Sequence, residues 1–192
     1  AVLAANKNTA VLLFTGRPLA IKKLSELAPA ILLVWQPGTE AGNAIANLVF
    51  GEVSPEGKLP MSFPAVTGQC PIHYDCFNTG RPRENDLSRV GYASSYIDGP
   101  NLPLYPFGYG LGYGKIEFGS VSAGLDGCDV TVSAELVNTG ETHAASELMQ
   151  VYVTRPGDDL TRPVSFLQAF SKSRLLAPGE SQTIRLRFPI TD

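Results

Sequence analysis

Two uninterrupted apolar runs constrain this chain more than any other feature: Ala10-Val11-Leu12-Leu13-Phe14 and Ala30-Ile31-Leu32-Leu33-Val34-Trp35. A strand with one face in water alternates apolar and polar side chains. A strand apolar throughout has both faces covered, as in a parallel sheet layered with helices. The stretch between the runs fits that layering, because Leu19, Ile21, Leu24 and Leu27 recur at helical spacing while Lys22, Lys23 and Glu26 are polar. After the second run, Pro37-Gly38 stops the strand and Thr39 is placed to cap a helix from Glu40 to about Phe50. Gly51 stands where a glycine closes a helix C-terminus. The order strand, helix, strand, helix predicts an α/β first part with about two parallel strands, too few for a whole sheet. The opening Ala1-Val2-Leu3-Ala4-Ala5 lacks the charged start of a signal peptide and reads as the end of a helix entered partway. The expectation is a portion of a longer polypeptide.

From about residue 52 to 114 the pattern becomes irregular, with Pro55, Gly57, Pro60, Pro64, Gly68, Pro71, Gly80 and Pro82 punctuating it. So long a loop is uncommon inside a compact domain unless it is functional or wraps another element. Its aromatics, among them Phe63, Tyr74, Tyr105, Phe107 and Tyr109, argue for a packed, extended connector, since such rings bury large areas. From about residue 116 the pattern is all-β. Val130-Thr131-Val132-Ser133-Ala134-Glu135-Leu136 alternates with period two, and Asn138-Thr139-Gly140 is a turn. Further strands are expected over residues 148–153, 166–170 and 183–188, the last preceded by the turn Ala177-Pro178-Gly179-Glu180. Short strands with turns between them predict a β-sandwich, expected to be incomplete at about 75 residues. The fold class is therefore a partial α/β sandwich followed by an all-β, immunoglobulin/fibronectin III-like sandwich. The predicted domains are 1–66, a connector over 67–115, and 116–192.

Composition removes several functions. Lys and Arg are scattered singly and the net charge is −3, so no basic stripe exists to neutralise phosphates and no nucleic-acid partner is expected. The apolar run within residues 28–36 is too short to cross a bilayer, and no membrane partner is expected. A hydrophobic fraction of 44% with only 17% charged residues is the opposite of the disordered signature. Cys70, Cys76 and Cys128 are odd in number, which argues against a disulfide framework and favours a reducing, cytoplasmic compartment over secretion; a Cys70–Cys76 bridge stays sterically open. His73 and His143 lie far apart without metal-ligand company, so no metal site is expected. Gly16-Arg17-Pro18 follows a strand but lacks the glycine spacing and the Lys-Ser/Thr of a phosphate loop, and no cofactor motif is present.

Four phrases, in order, carry a resemblance. They are Trp35-Gln36-Pro37-Gly38-Thr39-Glu40-Ala41-Gly42-Asn43-Ala44-Ile45-Ala46 with Phe50-Gly51 and Ser54-Pro55-Glu56-Gly57-Lys58-Leu59-Pro60-Met61-Ser62-Phe63-Pro64; Asn78-Thr79-Gly80-Arg81-Pro82; Leu104-Tyr105-Pro106-Phe107-Gly108-Tyr109-Gly110-Leu111-Gly112-Tyr113; and Val137-Asn138-Thr139-Gly140 with Val151-Tyr152-Val153, Arg162-Pro163-Val164 and Leu176-Ala177-Pro178-Gly179-Glu180-Ser181. Together they resemble family 3 glycoside hydrolases of the β-glucosidase type over essentially the whole chain. The resemblance implies the end of an α/β sandwich domain, a connector and a fibronectin type III-like domain. It departs at Glu40-Ala41-Gly42, where many relatives read Glu-Gly-Gly, and at Gly110-Leu111-Gly112-Tyr113, where many read Gly-Leu-Ser-Tyr; both exchange small residues for small.

The implied reaction is retaining hydrolysis at the non-reducing end of a β-linked glucoside or related oligosaccharide. It needs two carboxyl groups about 5–5.5 Å apart, a nucleophile and an acid/base. In the family the nucleophilic Asp lies on an N-terminal TIM-like barrel and the acid/base Glu commonly lies upstream of the matched region. The resemblance therefore places no catalytic residue in this chain, implies no cofactor, and implies the upstream barrel as partner. Three residues are substrate-proximal candidates. Trp35 ends a strand of an α/β sheet, the edge where ligands bind, with core packing as the competing role. Glu40 follows the Pro-Gly turn, where the helix dipole favours a carboxylate whether or not a sugar is near. Arg81 is suited to anchoring the connector through a carboxylate or to shaping a sugar pocket. Glucosides and xylosides fit equally. The alternative function is a non-catalytic carbohydrate-binding or structural fibronectin-like module, and the inward register expected for most aromatics of the β part counts against a sugar platform there.

Overall fold

The computed structural model describes residues 2–77, 79, 94–96, 99–154 and 162–190. The chain divides into two compact units, Ala1–Asn47 with Leu59–Tyr109, and Leu48–Lys58 with Gly110–Asp192.

The first unit carries α1 (Val2–Ala5), β1 (Ala10–Phe14), α2 (Lys22–Leu27), β2 (Ala30–Trp35) and most of α3 (Ala41–Val49). The strands pair in parallel, Ala10 opposite Ala30 through Leu13 opposite Leu33, after which the register slips and Phe14 meets Trp35. α2 begins later than its apolar spacing, because Ile21 at its N-terminal boundary offers no capping side chain. α3 ends as expected: Gly51 takes φ +80° and its N–H donates to the Leu48 carbonyl. The unbroken apolar strands, however, are not covered on both faces within this unit. Neither contains a fully buried residue, and on the face of β1 shared by Ala10, Leu12 and Phe14 the last two remain 37% and 58% exposed.

The tightest packing of this unit lies in the irregular stretch. Phe63, 2% exposed, exchanges backbone hydrogen bonds with Tyr105 and Leu104, and its ring meets those of Trp35 and Tyr105 at 5.9 and 6.4 Å. Tyr105 stacks in turn on Tyr109 at 5.2 Å. Buried Gln69 closes the stretch. Its Oε1 accepts from the Ala65 and Val66 N–H groups, and its Nε2 donates to the Pro100 and Leu102 carbonyls at 2.6 and 3.0 Å. One amide thus satisfies four backbone groups that form no ladder. Cys70, Cys76 and Cys128 are all free thiols, so the Cys70–Cys76 bridge does not form.

The second unit is an antiparallel sandwich of β3 (Ile116–Asp126), β4 (Asp129–Asn138), β5 (Leu148–Val153), β6 (Phe166–Lys172) and β7 (Ser181–Pro189). One sheet has the order β3-β4-β7 and the other pairs β5 with β6. Ala134, Leu136, Met149, Leu176 and Ile184 form its core. Buried Asn138 ends β4: its side chain donates to the His143 and Leu176 carbonyls and accepts from the Gly140 N–H. Phe118, Phe166 and Phe188 pair with Leu136, Val153 and Val130 on the inner faces, while Tyr152 and Phe170 fall on the outer face of the smaller sheet.

Residues 48–58, which continue from α3, are fastened to this sandwich. Lys58 Nζ donates to the Gly110 carbonyl at 2.7 Å and pairs with the Glu147 carboxylate, while Lys172 pairs with Glu56. The backbone here approaches so closely that a Cβ on Gly110 would stand 2.4 Å from the Gly57 carbonyl oxygen, a position only glycine can hold.

Candidate functional site

Ligands of open α/β sheets bind beyond the carboxyl ends of the strands, where successive strand-to-helix loops converge. In the first unit that edge is formed by the loops after β1 and β2. The Thr15 N–H donates to the Trp35 carbonyl at 3.2 Å, prolonging the pairing by one residue. The Thr15 hydroxyl donates to the Arg17 carbonyl and accepts from the Arg17 N–H, folding the first loop back on itself. Gly16 lies directly under the Gln36 side chain, and a Cβ there would stand 2.9 Å from Gln36 Nε2. The two loops therefore touch through a glycine and an amide.

Trp35 holds the centre of this edge with φ +52°, a left-handed backbone unusual for a large side chain. Such a conformation costs on the order of 1–3 kcal/mol and persists only where the surroundings enforce it. Here the β-bulge opposite Phe14 and the Phe63 ring provide that enforcement. Trp35 packs on Phe63 and is half-buried, so part of its surface remains open at the strand end.

Glu40 sits at the start of α3, its carbonyl accepting the Ala44 N–H, and its exposed carboxylate takes the Asn43 amide at 2.6 Å. The helix therefore starts one residue later than sequence suggested, with Glu40 rather than Thr39 at its boundary. A carboxylate there is stabilised by the helix dipole. Trp35 and Glu40 share the same edge but have separate partners. Arg81 lies outside the described residues. Sequence reasoning missed Gly16 and Gln36 as a contacting pair, and Phe63 as the support of Trp35; the only signal for the first was the glycine two residues after β1. Among the described residues, no three His, Cys, Asp or Glu side chains gather in a metal-binding group, and no helix is long and apolar enough to cross a membrane.

Comparison with known proteins decides the lineage. Residues 1–113 match the model of the glycosyl hydrolase family 3 C-terminal domain, and residues 147–192 match a fibronectin type III-like domain. The chain belongs to glycosyl hydrolase family 3. It is 43% identical to a periplasmic beta-glucosidase of Salmonella typhimurium over 195 residues, covering 99% of this chain and 25% of that protein. A beta-xylosidase of Formosa agariphila is 36% identical, with 97% of this chain and 25% of the relative covered. Among solved structures, the beta-glucosidase from Listeria innocua in complex with glucose superposes with a TM-score of 0.90 at 39% identity, covering 98% of this chain and 26% of that one. Beta-glucosidase 3B from Thermotoga neapolitana, also with glucose, gives 0.76 at 30% identity over 94% of this chain and 26% of that one. The family 3 chain thus spans about a quarter of the length of these relatives, and corresponds to their C-terminal part.

Proposed function

We propose that this chain is the C-terminal scaffold of a retaining, exo-acting β-glycosidase, with its catalytic nucleophile and acid/base supplied from outside these 192 residues. The substrate is a β-linked glucoside or related oligosaccharide, and the partner is an upstream TIM-like barrel of the same protein. The observation that carries this reading is the family 3 match over residues 1–113, a span that holds the strand-end edge centred on Trp35. The fibronectin-like sandwich then serves as a brace. Trp35, Glu40 and Arg81 are its substrate-proximal residues: an aromatic face for a sugar ring, a carboxylate for a hydroxyl, and a guanidinium for orienting either. Trp35 is the strongest of the three, because its strained backbone holds an indole at the edge where α/β sheets bind ligands.

The test is a paired assay on chromogenic β-glucosides and β-xylosides, using the full-length protein and the 192-residue chain. Hydrolysis is expected from the former alone. Turnover by the short chain refutes the missing acid pair, and no turnover of any glycoside by the full-length protein refutes the functional reading. In the full-length enzyme, Trp35→Ala is expected to raise KM or lower kcat/KM by about tenfold or more, the loss of one good aromatic contact. An unchanged kcat/KM with an unchanged fold removes Trp35 from the site.

A further inference from the structure

The outer face of the smaller sheet has a definite chemistry. Met149 and Val151 pack into the sandwich core, so their strand neighbours Leu148, Gln150 and Tyr152 point the other way. Opposed residues of an antiparallel pair share a face, and these three oppose Lys172, Phe170 and Leu167. Phe170 is 63% exposed and Tyr152 40%. Both depart from the inward register expected of most aromatics in the β part, and they do so on adjacent strands of one face.

The groups around the two rings are polar without net charge. The Tyr152 hydroxyl donates to Gln150 Oε1 at 2.6 Å, which fixes the amide on the strand pair between the rings. Lys172 closes one end of the face, where Glu56 neutralises it. The patch therefore has no charge preference to offer a phosphate or a uronate. It is also small. Strands rise about 3.3 Å per residue and lie about 4.8 Å apart, so this strand pair presents roughly 200 Å². Each partner of a stable protein interface buries about 800 Å², which makes a second copy or another protein a poor occupant. A sugar ring matches the patch better. Its C–H groups pack against the electron-rich face of a Phe or Tyr ring. Its hydroxyls meet an amide and a phenol, groups that both donate and accept.

Resting on the β-glycosidase reading for the identity of the polymer, we propose that Phe170, Tyr152 and Gln150 form a second, non-catalytic carbohydrate site that takes an uncharged β-linked glucan chain. The site holds the polymer beside an enzyme that removes sugars from its ends, and gives the sandwich a task besides bracing.

The test is affinity electrophoresis of the full-length protein in gels containing mixed-linkage β-glucan or xyloglucan, run beside turnover of a chromogenic β-glucoside. Both neutral polymers should retard the protein, and the anionic polymer polygalacturonate should not. Phe170→Ala and Tyr152→Ala should each raise the apparent Kd by about tenfold, the loss of one ring contact. Phe170→Tyr should keep the retardation, and all three variants should keep the parent's kcat/KM on the chromogenic substrate. Absent retardation of the parent, equal retardation by polygalacturonate, or retardation that survives both alanines together overturns the proposal. So does a dimer in light scattering that Phe170→Ala dissociates, since a second copy then covers the face. If the alanine variants do not fold, hydrogen exchange in the parent decides: added polymer should slow the β5 and β6 amides, and unchanged exchange overturns the site. The two readings fail separately. Absent turnover of every glycoside refutes the β-glycosidase, whereas turnover without ring-dependent retardation refutes this site alone.

Discussion

The two units solve the same problem, hiding apolar surface, by opposite means. The sandwich uses strands with alternating sides and gathers small and medium aliphatics into a core, with Leu136 and Leu176 fully buried. The first unit has the more apolar strands, yet none of their residues is buried. Its order comes instead from one buried phenylalanine, a succession of aromatic rings and the four-way Gln69 amide. The difference shows that apolar content alone does not make a core. Layers do, and the first unit brings two strands and short helices where the sandwich brings two facing sheets.

The comparison breaks most readily at the sandwich core. Leu136→Ala removes a fully buried side chain among Ala134, Met149 and Ile184, and should cost about 3–4 kcal/mol. Chemical denaturation with hydrogen exchange at β4 checks this; a loss under about 1 kcal/mol means that the aliphatic cluster is not what holds the sheets together. The counterpart in the first unit is Gln69→Leu, similar in volume but unable to bond, which orphans two N–H groups and two carbonyls. A loss of about 2–3 kcal/mol is expected, read through the fluorescence of Trp35, the single tryptophan. If Gln69→Leu proves neutral, water satisfies those groups and the amide is not a staple.

Most strands were legible because their side-chain period is local. The parallel runs at Ala10–Phe14 and Ala30–Trp35 and the strand Leu148–Val153 occupy the residues their patterns indicated. β3 escaped because a bulge between Phe118 and Val121 moves its apolar residues from even to odd positions, and Gly119 and Gly124 dilute what remains. A pattern that changes phase midway reads as no pattern. Family membership and the Trp35-Glu40 turn were also visible in the sequence. The left-handed backbone of Trp35 and the Gly16–Gln36 contact were not, since both arise from the meeting of two loops about twenty residues apart. Nor does any local signal bind residues 48–58 to the sandwich: the pairs that do so, Lys58–Glu147 and Glu56–Lys172, join residues 89 and 116 positions apart.

Those two ion pairs give smaller effects that sharpen the contrast. Lys58 is nearly buried, and Lys58→Met leaves the Gly110 carbonyl and the Glu147 carboxylate without their charged donor. A loss of about 1–2 kcal/mol is expected, with Glu147→Gln rescuing part of it in the double variant by removing the stranded charge. No rescue means that Lys58 acts through its stem, by packing, and not through its charge.

The smallest effect is a pH dependence. The Lys172 ammonium bonded to Glu56 holds that carboxyl below its ordinary value of 4.5, with burial opposing the shift. A carboxyl lowered on folding stabilises the native state above its unfolded pKa, and that contribution disappears as pH falls through the lowered folded value. The window therefore opens below about pH 4.5, and neutral pH should show no titration from this pair. Both side chains are partly solvated, so the contribution is well under about 1 kcal/mol. Glu180 beside Arg174 and Glu117 beside Lys115 are lowered in the same sense at fully exposed positions, so they titrate in the same range and need a control. Comparing Lys172→Met with the parent from pH 6 to pH 3 isolates the Glu56 part. The gap between their unfolding free energies should be constant at higher pH and close as Glu56 protonates. A gap that stays open at the acid end means that Lys172 stabilises the strand by something other than its charge on Glu56.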